Sequence, residues 1–304
     1  MACYHPMLAY RSRDVNPSGK RGIVFKKEDG LALSDLKLPC GQCIGCRLEY
    51  SRQWAIRCVH EASLYEQNCF ITLTYAPDHL PDDGSLRVRD FQLFMKRLRK
   101  KFPAERIRFY HCGEYGAKHN RPHYHACLFN FDFQDRVLWK IENEIRLYVS
   151  EVLNQVWNKG FATVGDVTFD SAAYVARYIT KKINGDRAKA HYEAVIESTG
   201  EIVDLKPEYT TMSRRPGIAR DWYEKYKTDV YPDDFVVLKG KVMRPPKFYD
   251  TIFEIDDIKG YELLKKQRKI KSKEVAKDNT PERLKVKEMV KKAQMKQLPR
   301  TYED

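Results

Sequence analysis

The feature that most limits this chain is a pair of aromatic-rich stretches, RIRFYHCGEYG at 106–116 and RPHYHACLFNF at 121–131, joined by the polar loop AKHN. They read as the two strands of a hairpin. Side chains at i and i+2 of a strand share a face, so His123 and His125 project together while Tyr124 turns away. Glu114, nine residues before His123 and near the end of the partner strand, is carried back beside them. Two neutral imidazoles at that separation can share a divalent cation. A carboxylate is the further ligand that Mg2+ or Mn2+ would require. The alternative, a histidine pair hydrogen-bonded on a sheet with no metal, stays open at this point.

Around the hairpin the pattern is mixed. FITLTY at 70–75, bounded by Asn68 and Pro77, reads as a strand, and FATVGDVTF at 161–169 as another. RDFQLFMKRLRKKF at 89–102 is the clearest helix. Phe91, Phe94, Met95, Leu98 and Phe102 follow the i, i+3, i+4, i+7 rule, with Lys96, Arg97, Arg99, Lys100 and Lys101 on the remainder. That basic side is either a solvated face or a contact for a DNA backbone. Residues 47–65 and a stretch around 134–157 also carry helical patterns, PDDGS at 81–85 is a turn, and residues 1–45 read as irregular.

SAAYVARYITKKI at 171–183 returns to helical spacing, with Ser171 as candidate N-cap. On a wheel of 100° per residue, Ala172, Val175, Ala176, Ile179 and Ile183 gather on one side, with Tyr174, Tyr178 and Lys181 almost opposite. Tyrosines away from the apolar stripe and beside a lysine are unlike core tyrosines. A tyrosine hydroxyl has an unperturbed pKa of about 10. Attack on a phosphodiester would therefore need a metal-polarised phosphate and a cation such as Lys181.

Lys and Arg outnumber Asp and Glu 55 to 42, a net charge of +13 that suits nucleic acid. From Lys259 onward 15 Lys/Arg face 7 Asp/Glu, a net of +8, which predicts a surface helix or a segment ordered by an anion. No apolar run approaches the roughly 18 residues of a membrane span, and the N-terminus lacks a secretory pattern. The eight cysteines are accordingly expected to be reduced, in a cytosol. Cys40, Cys43 and Cys46, in CGQCIGC, would hold Zn2+ if Cys58 or Cys3 supplied a fourth ligand. With no second Cys or His pair at ligand spacing, small buried residues in a Gly-rich loop are the plainer reading. The phosphate loop G-x-x-x-x-G-K-[ST] is absent, which argues against a fused helicase or NTPase.

FITLTY, then GEYG…RPHYHACLF, then YVARYITKK, in that order, resemble the three motifs of HUH endonucleases that initiate rolling-circle replication. CGQCIGCR and MSRRPG strengthen the likeness to the replication initiators of Microviridae phages, gokushoviruses especially, over roughly residues 38–225. The resemblance implies an α+β HUH fold, a central antiparallel sheet of about five strands flanked by helices, with a basic C-terminal extension. The implied organisation is an N-terminal cysteine-containing segment and helix at 1–65, an endonuclease domain at 66–235 and the extension at 236–304. Tyr174 and Tyr178 match the alternating nucleophiles, and Lys181 the lysine three residues after one of them; after Tyr174 that place is held by Arg177. His123 and His125 match the metal motif, and Glu114 the acidic ligand of related initiators, for Mg2+ or Mn2+.

The implied activity is nicking and joining of single-stranded DNA at the viral plus-strand origin through a 5′-phosphotyrosine. Single-stranded and replicative-form DNA, a host helicase and a host DNA polymerase are the implied partners, in the bacterial cytoplasm and with no membrane. The alternative is an HUH relaxase or transposase acting on plasmid or mobile-element DNA. Relaxases generally place the tyrosine before the histidines, whereas here it follows by about fifty residues, and such transposases typically use one tyrosine. A barrel metallohydrolase would need more histidines downstream than His191.

Overall fold

The computed structural model describes residues 3–17, 19–116, 120–142, 145–178, 187–195 and 200–297. The segment that reads as irregular contains strands β1 (Met7–Val15), β2 (Arg21–Val24) and β3 (Leu36–Leu38), an antiparallel sheet in the order β2-β1-β3. Its pattern is hard to see because MLAYRSRDV buries only Ala9 and Tyr10. Helix α1 (Ile44–Ala62) is followed by β4 (Asn68–Thr74), α2 (Val88–Lys101) and the expected hairpin, β5 (Arg108–Tyr115) and β6 (Pro122–Phe129).

The stretch around 134–157 departs from expectation. It forms a second hairpin, β7 (Val137–Glu142) and β8 (Ile145–Val149), before the short helix α3 (Glu151–Trp157). Val137, Trp139, Ile141, Ile145 and Val149 favour strands. Tyr148 pairs with Val164 of β9 (Ala162–Gly165), which ties the hairpin to the main sheet. Helix α4 (Phe169–Tyr178) comes next. The remainder supplies α5 (Arg187–Tyr192), β10 (Glu193–Val195), β11 (Ile202–Asp204), β12 (Tyr209–Met212), α6 (Arg220–Val230), β13 (Val236–Leu238), β14 (Lys241–Met243), α7 (Lys247–Asp256), α8 (Ile258–Glu274) and α9 (Pro281–Lys296). The basic tail is thus helical where described. Among the described residues no helix is long and apolar enough to cross a membrane.

The described residues fall into two compact units. One comprises those up to Tyr50 and those from Lys265 onward; the other is Ser51–Leu264. In the smaller unit His5 meets Glu288 of α9, Nε2 to Oε2 at 2.8 Å. The larger unit is α+β, built on seven antiparallel strands in the order β12-β5-β6-β4-β9-β8-β7. Without the unforeseen β7–β8 hairpin, the five expected strands remain.

Period-two alternation sends the two faces of that sheet into separate cores. Ile71, Leu73, Tyr124, Ala126 and Leu128 meet Phe91, Phe94, Met95 and Leu98 of α2 and Leu153 and Trp157 of α3. The apolar stripe read for α2 is therefore the buried one, position for position. Phe70, Tyr110, Cys112, Cys127 and Phe129 meet α1, α4, α6 and α7 on the other face.

A buried ion pair fastens this second layer. Arg108 of β5 pairs through Nε with Glu61 of α1, and both side chains are 5% exposed or less. Arg108 Nη2 also donates to the carbonyl oxygens of Pro216 and Gly217 at 3.0 and 3.2 Å, and Ala219 N donates to Glu61 Oε2. Arg57 lies between the rings of Trp54 and Phe248 and donates to the Ile218 carbonyl. The motif MSRRPG is thereby a docked loop. Its Gly217 is required by space, because a Cβ there would sit 3.1 Å from the Phe248 ring.

Replacing Arg108 by Met would strand a buried carboxylate and is expected to cost about 3–5 kcal/mol. Adding Glu61→Leu should recover most of that loss. Equilibrium urea unfolding compares the two; a single variant as stable as wild type would show that the pair carries no structural weight.

Candidate metal and tyrosine site

The β5–β6 register sets Glu114 directly opposite His123 and Cys112 opposite His125. One strand further, β4 sets Thr72 beside His125 and Thr74 beside His123. Glu114, His123 and His125 consequently share the sheet face that α4 covers. Their ligand atoms lie within 4.8 Å of one another. Glu114 Oε1 is 2.6 Å from His123 Nε2 and 3.0 Å from His125 Nε2. Glu114 and His125 are each 2% exposed, and His123 is 17% exposed, on the open side.

The outer ring nitrogens are tied back. His125 Nδ1 lies 2.9 Å from Thr72 Oγ1, and His123 Nδ1 lies 3.1 Å from the Arg121 carbonyl oxygen. A carbonyl only accepts, so His123 Nδ1 carries the proton and Nε2 turns a lone pair toward Glu114. A neutral ring then faces a carboxylate lone pair to lone pair, a contact relieved only by a proton or cation held between them. Burial works to raise the Glu114 pKa, but hydrogen bonds with both histidines, and then their charge, outweigh it and hold the carboxyl below its ordinary range. The other oxygen, Oε2, is buried with no hydrogen-bond partner. Such a converging, half-satisfied set of donors is what a hard or borderline divalent ion would complete.

Strand alternation also explains which histidine is left out. His111, three residues before Glu114, faces the opposite core, where it stacks on Phe91 with centroids 3.4 Å apart. Burial, and then the charge of His125, hold its pKa well below the usual imidazole value. Gly113 faces the same way, and a Cβ there would sit 2.8 Å from the Tyr209 ring. The glycine of GEYG thus makes room for a neighbouring ring while the glutamate serves the other face.

Tyr174 comes to this site from α4. Its ring stands edge-on to His125, centroids 5.0 Å apart at 88°, and Phe70 stacks on the same imidazole at 5.6 Å. The helix starts at Phe169, one turn earlier than Ser171 would have capped it. Thr168 is the cap: Ser171 N donates to Thr168 Oγ1 at 3.1 Å, and Thr168 N to Ser171 Oγ at 2.8 Å. Ala172, Ala173 and Ala176 are small enough to let the helix lie close to the sheet, and Ser51 of α1 donates to the Ala173 carbonyl at 2.8 Å.

Residues 171–176 are consequently all buried, Tyr174 at 6% exposure included. The expectation of a tyrosine face lying clear of the apolar stripe is corrected for Tyr174, because α4 is covered on both sides. Tyr178 is the last residue of α4, one turn beyond Tyr174. Lys181 lies outside the described residues.

Two further positions differ from the sequence reading. Helix α2 packs on the face away from Glu114, so its cations do not line this site. Arg97 instead donates to the Val156 and Trp157 carbonyls at the end of α3, and Arg99 to that of Ile107. Thr72 and the Arg121 carbonyl, which orient the histidines, were not foreseen. The signal for Thr72 was present in FITLTY, where it alternates onto the histidine face once β4 pairs with β6.

A family model for the replication-associated protein ORF2 group matches residues 68–183, a span that includes Glu114, both histidines, both tyrosines and Lys181. Replication-associated protein VP4 of Bdellovibrio phage phiMH2K is 33% identical over 286 residues, covering 91% of this chain and 84% of the relative. Replication-associated protein ORF2 of Spiroplasma virus 4 is 34% identical over 230 residues, 71% of this chain and 68% of the relative. Replication-associated protein ORF4 of Chlamydia phage 1 is 33% identical over 154 residues, 48% and 38% respectively. No solved structure matches the chain.

The geometry leads to a graded expectation for Mn2+ binding, followed by electron paramagnetic resonance of the free ion. His125→Ala should abolish binding, while Thr72→Val, which keeps every ligand and loses only the orienting hydroxyl, should weaken it about 10–100-fold. Equal binding by wild type and His125→Ala would remove these residues as ligands.

Proposed function

The chain belongs to the family of phage replication-associated proteins, and from that membership we propose that it is the endonuclease that opens and rejoins the viral plus strand at its origin. One juxtaposition carries the reading. Three metal-ligating groups converge on a sheet, and a tyrosine on the overlying helix sets its ring against one of them. A plain metallohydrolase has no use for that ring, and a passive DNA-binding protein has no use for the unpartnered Glu114 oxygen.

The donor set, one carboxylate and two imidazoles with a buried unpartnered oxygen, fits Mg2+ or Mn2+. When bound, the ion supplies positive charge that polarises the scissile phosphate. Glu114, His123 and His125 hold it, with Thr72 and the Arg121 carbonyl fixing the rings. The hydroxyl of Tyr174 or Tyr178 attacks the phosphorus: a tyrosyl O–P bond forms and the P–O3′ bond breaks. The phenol gives up its proton and the departing 3′ oxygen gains one. The strand is left as a 5′-phosphotyrosine and a free 3′-OH from which a host polymerase can extend. Lys181 offsets charge as the bond changes hands.

The second tyrosine allows the transfer that closes a unit-length circle: a 3′-OH displaces the phosphotyrosine, the new phosphodiester forms and the phenol is regained. The surplus of 55 basic over 42 acidic residues supports sequence-independent phosphate contacts with single-stranded and replicative-form DNA. Unwinding falls to a host helicase in the cytoplasm of the infected bacterium.

The test is a covalent adduct. Wild-type protein incubated with origin-bearing single-stranded DNA and Mn2+ should form a 5′-linked protein–DNA species. The double change Tyr174→Phe, Tyr178→Phe should reduce it to background, and a single change should nick without circularising. An undiminished adduct in the double variant, or none with wild type, defeats the reading.

A further inference from the structure

Four thiols converge in the smaller unit, well apart in sequence from the residues of the nicking chemistry. Cys3 precedes β1, Cys40 follows β3, Cys43 sits just before α1, and Cys46 lies in its first turn. Their Sγ atoms all lie within 4.8 Å of one another. Cys40 and Cys46 are 4.0 Å apart, as are Cys3 and Cys43. A disulfide brings its sulfurs to about 2.05 Å, so these are free thiols. Sulfurs around a tetrahedral zinc at Zn–S distances of ~2.3 Å are separated by ~3.8 Å, close to the spacing found. An iron–sulfur cluster must fit several iron atoms between its cysteines and so needs a wider cage. Cys58, the other candidate for fourth ligand, is instead buried in the main core with Cys127.

Two other features belong to a metal site. Backbone amides point at the sulfurs: Cys40 N donates to Cys3 Sγ at 3.2 Å, Cys43 N to Cys40 Sγ at 3.3 Å, and Tyr4 N to Cys43 Sγ at 3.3 Å. Such N–H donors favour the thiolate and fix its direction. The second feature is how little else holds this sheet. Between residues 3 and 50 the buried apolar side chains are Cys3, Ala9, Tyr10 and Cys43, whereas Met7, Leu8, Val15, Ile23, Phe25, Leu31 and Leu33 are exposed. So small a core does not order a three-stranded sheet by burial, and modules of this kind use a metal instead. Cys3 and Cys40, 37 residues apart, bracket all three strands.

We propose that Cys3, Cys40, Cys43 and Cys46 bind one structural Zn2+ that closes the N-terminal sheet onto the start of α1. With four thiolate ligands the ion has no open position and takes no part in DNA chemistry. Binding releases the thiol protons to solvent, so the site empties in acid.

Full-length protein from zinc-replete cells, purified without chelator, is analysed by mass spectrometry for metals beside Cys43→Ser and the double variant His123→Ala, His125→Ala. About one zinc per chain is expected in wild type and in the histidine variant, and roughly a tenth of that or less in Cys43→Ser. Cobalt substitution of the wild type reads the ligands independently of how any variant folds, through intense thiolate-to-cobalt absorption in the near ultraviolet and tetrahedral visible bands. Wild type with neither zinc nor cobalt–thiolate absorption overturns the site. Zinc that persists in Cys43→Ser but leaves the histidine variant overturns it too, as does iron accompanied by sulfide.

Discussion

The register of one hairpin governs this molecule. Glu114 stands opposite His123 because β5 and β6 pair as they do, and a slip of one residue would turn each of these side chains to the other face. Burial on both sides forbids that slip: Tyr124 and Leu128 fill one core, Cys127 and Phe129 the other. The hydrophobic pattern that specifies the sheet thereby also assembles a carboxylate and two imidazoles, with no separate scaffold. Partners on three elements then refine the cluster: Thr72 on β4, the Arg121 carbonyl at the hairpin turn and Tyr174 on α4.

Keeping α4 close has its own requirements. Alanine at 172, 173 and 176 lets the helix backbone approach the sheet, and Thr168 with Ser171 sets where its first turn begins. Behind the sheet, the Arg108–Glu61 pair fixes α1 to β5 and holds the 216–219 loop at both ends of its hydrogen-bonding run. Buried charges are costly unless each lone pair and proton finds a partner. Here backbone amide and carbonyl groups supply those partners.

Much of this was legible in the residues. Alternation along RPHYHACLF placed both histidines on one face, and the 3.6-residue period of α2 named its buried positions. What failed depended on neighbours distant in sequence. VLWKIENEIRLYV suits either a helix or a hairpin by its own pattern, and pairing with β9 decides the matter. Tyr174 looked peripheral on a helical wheel because a wheel shows one apolar stripe, whereas α4 is covered from two directions. Cys3 could not be ranked above Cys58 as a partner for CGQCIGC until the chain between them was folded. The basic side of α2 was seen correctly as basic, but not that two of its arginines serve carbonyl groups.

The seven-stranded sheet does not close, and its last strand, β7, leaves Val137, Leu138, Trp139 and Ile141 between 49% and 64% exposed. A straight apolar edge of that kind invites another chain to add itself as an eighth strand, and then another. Two details spoil the template. The register with β8 shifts between Leu138 and Lys140, bending the strand out of line, and Lys140 places its charge over the Trp139 ring. The irregularity in an otherwise ordinary hairpin thus acts as a solubility device, protecting a chain whose sheet would otherwise have a growing end.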